Sequence, residues 1–148
     1  MPNARRFTLP RWTLLARRLG WIAFVMVLLL ATHWPGVRIE GPVPRTDLWL
    51  HLAAFGAWTV GLASTAWPGP MFSKRGIVNA SMIAAAYSVL GELSQGIPGI
   101  GRVVAWEDAA ANLGGVALAT LGLSIIARLL ARIGLELVEA ELDEVDRA

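Results

Sequence analysis

The chain contains no cysteine, so disulfides, thiolate metal sites and cysteine nucleophiles are excluded, and the redox compartment is left open. Charge is scarce as well: 16% of the 148 residues are charged, whereas 55% are hydrophobic. That balance is too apolar for an ordinary soluble domain, and the length is too short for several domains. One membrane domain is the economical reading. There is also no basic surface stripe, nucleotide-binding loop, internal repeat or repeated pore lining. Nucleic-acid binding, soluble catalysis, paired-half transport and channel conduction therefore lack support.

What is present is four apolar segments. A helix needs roughly 20 residues to cross about 30 Å of hydrocarbon, and helices satisfy their own backbone groups in lipid. The first segment runs from Leu19 to Trp34 and stops at Pro35 and Gly36. The second runs from Leu48 to Trp67, the third from Gly76 to about Gly96, and the fourth from Asp108 to Leu130. The expected fold is all-α, a polytopic bundle of four transmembrane helices. It divides into a basic N-terminal segment (1–18), the helical membrane domain (19–130) and an acidic, amphipathic tail (131–148). A secretory leader would end in small residues, but His33, Trp34 and Pro35 follow the first run, so it is read as a retained anchor.

Basic residues set the orientation. Arg5, Arg6, Arg11, Arg17 and Arg18 precede the first span, Lys74 and Arg75 lie between the second and third, and Arg128 and Arg132 close the fourth. The other side carries Arg38, Arg45 and Arg102. This places the chain in the cytoplasmic (inner) membrane with both termini in the cytoplasm. Trp34, Trp49 and Trp106 would mark the outer interface, and Trp12 and Trp67 the inner one. The loop from Pro35 to Arg45 is rich in proline and glycine and should be extended. The segment from Gly96 to Gly101 suits a loop that dips toward the membrane.

Ionisable residues within spans cost roughly 2.5 to 3.5 kcal/mol at a helix centre, so their positions carry information. Asp47 and His51 are four apart, Glu92 and Gln95 three apart, and Asp108 and Asn112 four apart; each pair lies on one helix face. Arg102 sits in the loop before the last pair. All seven fall at outer ends and should converge as a binding site. His51 is the acid–base candidate, with Asp47 one turn away to hold its tautomer and Glu92 as a further catalytic candidate. A metal bound by His51, Glu92 and Asp108 is conceivable from ligand chemistry. The spacing matches no known metal signature, so no metal or other cofactor is assigned. His33, beside Trp34, reads as a solvated helix end. The opposing reading of the cluster is a fastener, in which Arg102 pairs with Glu92 or Asp108 and merely ties helix ends together.

Other features read as packing. Gly114, Gly115, Ala119 and Gly122 form a small-residue stripe on the fourth span, with Gly56 and Gly61 as counterparts on the second. Thr59, Ser64, Ser81 and Ser124 can bond to their own helices. Ile133, Leu137, Leu142 and Val145 suggest a short amphipathic helix in the tail.

The ordered set Asp47, His51, Glu92, Gln95, Pro98, Arg102, Asp108, Asn112 and Gly115 resembles the VanZ-like membrane proteins. That family comprises small four-helix integral membrane proteins named after one associated with teicoplanin resistance. The chain departs from it at Leu48, where a basic residue is usual, and at Val103 to Ala105, where a serine-containing stretch is usual. The resemblance implies a cell-envelope setting, and with it an antibiotic-resistance-like role. The partners expected are membrane lipids and a lipid-linked or peptidoglycan-related ligand. Three functions stay open: binding or modifying an envelope component, catalysis by His51 with a carboxylate, and a structural or accessory subunit whose polar cluster only packs helices.

Overall fold

A computed structural model describes residues 5–34, 41–99 and 103–139. Four helices dominate: α1 (Arg11–His33), α2 (Thr46–Ser64), α3 (Lys74–Gln95) and α4 (Trp106–Arg132). Three of them, α1, α3 and α4, are long and apolar enough to cross a membrane.

The helix boundaries have local causes. Helix α1 starts well before the apolar run at Leu19, because long arginine stems can cover apolar surface while their heads reach polar groups. Arg17 Nε donates to the Thr13 carbonyl at 3.1 Å, and Arg18 Nε to the Thr65 carbonyl at 3.1 Å. Helix α3 begins at an N-cap serine, Ser73, whose Oγ accepts from the Gly76 amide at 3.0 Å. Helix α4 carries Glu107 and Asp108 in its first turn and Arg132 in its last, the signs its dipole favours. It ends where Gly134 takes φ 66°, a left-handed conformation that costs glycine little.

Helix α2 is the centre of the bundle and packs against the other three. Phe55, Trp58, Leu62 and Ala63 of α2 form one core with Ile77, Ala80 and Ala84 of α3 and Val116 and Leu123 of α4. An aromatic series ties α1 to it. Trp21 meets Trp58 edge-on at 5.2 Å and Trp67 at 5.6 Å, while Trp58 stacks on Tyr87 at 5.4 Å. Large apolar side chains also point away from the bundle, among them Met26, Val27 and Leu30 of α1, Met82 and Leu90 of α3, and Leu118 and Leu121 of α4. Such a surface suits lipid and not water.

The small-residue stripe narrows to one contact. A Cβ at Gly115 would fall on the Leu52 carbonyl oxygen and lie 2.9 Å from the Gly56 amide nitrogen, so α2 and α4 touch backbone to backbone there. Gly122 has nothing within 4 Å, and Gly61 makes room for Trp21 of α1 instead of α4. Thr59, Ser64 and Ser81 do bond to carbonyls of their own helices, and Ser81 also meets Thr120 across α3 and α4 at 2.6 Å.

The tail departs from expectation. Where an amphipathic helix was anticipated, Leu135–Glu139 is a strand, β2, paired in parallel with β1 (Arg5–Leu9). The run Leu135, Glu136, Leu137, Val138, Glu139 breaks strict alternation at Val138, so the pairing with β1 and not a period of two defines the strand. Positions 140–148 lie outside the described residues. The register runs from Arg5 opposite Leu135 to Leu9 opposite Glu139. Because β1 leads directly into α1 and β2 follows α4, the pairing brings the start of α1 and the end of α4 to one end of the bundle.

Candidate functional site

The opposite end of the bundle holds the polar groups. His51 stands in the second turn of α2, Glu92 and Gln95 near the end of α3, and Asp108 and Asn112 in the first two turns of α4. His51 Nδ1 lies 3.0 Å from Asn112 Oδ1, and His51 Nε2 lies 3.4 Å from Asp108 Oδ2. Gln95 Nε2 donates to Glu92 Oε1 at 3.3 Å. One ligand atom each from His51, Glu92 and Asp108 falls within 4.8 Å of the others.

Burial is graded across the site. Glu92 is 2% exposed and Asn112 1%, whereas the side chains of His51 and Asp108 retain 14% and 17%. Water therefore reaches the His51–Asp108 edge while Glu92 sits behind it. A buried carboxylate needs compensation from neighbouring donors or cations, and Gln95 supplies one such donor. Beside Glu92 lies a cavity of about 10 Å³, lined by Thr32 and His33 of α1, Ser88, Glu92 and Gln95 of α3, and Asn112 of α4. That is room for roughly one water molecule.

Five of the seven expected residues thus come together: His51, Glu92, Gln95, Asp108 and Asn112. Arg102 lies outside the described residues, as do parts of the loops at 35–45 and 96–101. Asp47 is a correction. It shares a helix face with His51, yet it sits on the first turn and turns back to Arg45 Nε at 3.7 Å, and the imidazole is held by Asn112 and Asp108 instead.

His33 is a second correction. It is no solvated end: its Nε2 lies 2.9 Å from Ser94 Oγ and its ring lines the polar cavity. Its place on α1 gave no signal, because the partner is brought by α3. Arg45 was counted only as a loop charge, but it donates to Glu107 Oε2 at 2.8 Å and links α2 to α4 at the rim. The hydrogen bond and the charge of Glu107 raise the guanidinium pKa above its ordinary value. Ser88 was missed altogether. It is 1% exposed, and its Oγ has no hydrogen-bond partner among the described residues.

The arrangement can hold a proton between an imidazole and a carboxylate, receive a cationic or hydrogen-bonding ligand, or tie three helices together. The apolar exterior and the three long apolar helices define the class: this is a small, multi-pass membrane protein. No protein-family model, curated protein or solved structure matches the chain.

Proposed function

We propose that the chain is a VanZ-like protein of the cytoplasmic membrane with four spans and both termini in the cytoplasm. In this reading, its outer end binds or modifies a lipid-linked or peptidoglycan-related envelope component. The observation that carries the reading is the convergence of His51, Glu92, Gln95, Asp108 and Asn112 from three helices at one end of the bundle, with one edge open to water. Carboxylates, an imidazole and amides can hydrogen-bond sugar hydroxyls or a peptide amine.

The topology has two supports besides the count of basic residues. Pairing of β1 with β2 fits an even number of crossings and supports reading α2, beside the three longer apolar helices, as a fourth span. The exposed tryptophans divide as interface anchors would, with Trp34, Trp49 and Trp106 at the site end and Trp12 and Trp67 at the other. Cysteines introduced at Val43 and Gly99 are expected to react with an impermeant thiol reagent in intact cells. One at Ser73 is expected to react only after lysis; labelling of Ser73 in intact cells refutes the outward orientation.

A second reading has its own observation. The polar cavity holds only about one water, as a cluster that merely fastens helices would. Asp108→Asn separates the two. For a ligand site, membrane abundance stays near wild type while teicoplanin protection of a Gram-positive host falls sharply. For a fastener, abundance and protection fall together. Absence of any wild-type protection counts against the borrowed ligand class.

A further inference from the structure

We propose that His51, Glu92 and Asp108 form a binding site for one divalent transition-metal ion. The proposal stands on the geometry of the cluster alone and does not depend on the envelope reading. Three different ligand-bearing residues, from three helices, bring donor atoms within 4.8 Å of one another, although their spacing in the chain carries no metal signature. The His51 Nε2 to Asp108 Oδ2 distance is 3.4 Å. Donors about 2.1 Å from a tetrahedral ion lie about 3.4 Å apart, so this pair already spans one edge of such a site.

The surroundings match what a metal-bound histidine needs. The ring nitrogen that does not face the carboxylates lies 3.0 Å from Asn112 Oδ1. An Nδ1–H donating to that oxygen leaves the Nε2 lone pair directed toward Asp108. Two electron-rich atoms facing each other at 3.4 Å can share a proton or accept a metal ion between or beside them. Gln95 likewise holds Glu92 from behind, at Oε1. Such outer contacts fix the orientation and tautomer of metal ligands.

Ser88 is the independent observation. A serine within a helix ordinarily returns its hydroxyl to a carbonyl one turn earlier, yet Ser88 Oγ is fully buried, has no partner among the described residues, and lines the cavity shared by Glu92 and Asn112. A water there satisfies Ser88 and lies beside Glu92, the one of the three protein ligands that lines the cavity. Three protein ligands plus a water is the pattern of an open site. One imidazole with two carboxylates, and no thiolate, suits Zn2+ or Mn2+ better than Ca2+ or Cu+.

The test uses the full chain purified in detergent, stripped with a chelator and titrated calorimetrically with Zn2+ and Mn2+. One ion per chain is expected. Asp108→Asn and Glu92→Gln should each weaken binding by at least about a hundredfold. Asn112→Leu, which removes only the outer contact, should weaken it about 10- to 100-fold. Asp47→Asn, whose carboxylate turns to Arg45, should bind like wild type. Co2+ added to wild-type protein should give visible d–d absorption that Zn2+ abolishes, a readout that needs no variant to fold. Failure of wild-type protein to bind one ion overturns the proposal, as does equal affinity in Asp47→Asn, Asp108→Asn and Glu92→Gln.

Discussion

Helices α1 and α2 are similar in length but opposite in circumstance. Helix α1 is strongly apolar, yet Leu14 is its only buried side chain among those described. Helix α2 is absent from the set of long apolar helices, yet it buries Phe55, Trp58, Thr59, Leu62 and Ala63 and touches every other helix. In water an apolar run such as Leu19 to Ala31 of α1 would be buried. In a bilayer, apolar character matches lipid, so α1 can face outward while the helix carrying Asp47, His51 and Thr59 takes the protein-lined centre. Lipid offers no hydrophobic drive for helices to associate, which leaves close packing and polar contacts to hold α2 in place.

That contrast can be broken most severely at the α2–α4 seam. Gly115→Val sets a branched side chain against the Leu52 carbonyl and the Gly56 amide, and is expected to cost about 3 kcal/mol or more. Gly122→Val, on the same helix with open space beside it, should leave stability nearly unchanged. Unfolding of the two variants in mixed detergent measures the difference; equal losses would mean that the backbone contact does not hold the bundle.

Attachment of α1 rests on less. Trp21 contributes two ring contacts and a 3.2 Å hydrogen bond from Nε1 to the Trp58 carbonyl. Since lipid replaces the lost apolar area, Trp21→Ala should cost only about 2 kcal/mol, well below its cost in a soluble core. It should also increase proteolysis between α1 and α2 before the rest of the bundle unfolds. Asn112→Leu keeps the volume but strands the His51 ring nitrogen, for about 1 to 2 kcal/mol in the same unfolding assay. Met82→Ala, on the lipid face of α3, should stay within about 0.5 kcal/mol of wild type.

The helices and most of the site were legible because a membrane restricts the choices. Apolar runs ended by Pro35 or by Pro68 to Pro70 leave little doubt that helices form, and same-face spacing already paired Glu92 with Gln95 and Asp108 with Asn112. Spacing along one helix could not reveal which helix each residue would meet. Asp47 and His51 share a face but not a bond, since the choice of partner depends on where α4 lies. His33 and Ser88 were invisible for the same reason: each acquires its role from a cavity that exists only after α1, α3 and α4 have docked. The strand at Leu135–Glu139 was hidden by its length and by Val138, which breaks the period of two, so it carries a weak signal until a partner edge is found.

The partner edge of that strand is β1, and nearly the whole chain separates the two. During synthesis β1 emerges before the four helices and β2 after them, so this pairing can form only once all four helices have left the ribosome. A chain cut before Leu135 therefore leaves β1 without its partner, an unpaired strand edge at the end of the bundle opposite the polar cluster.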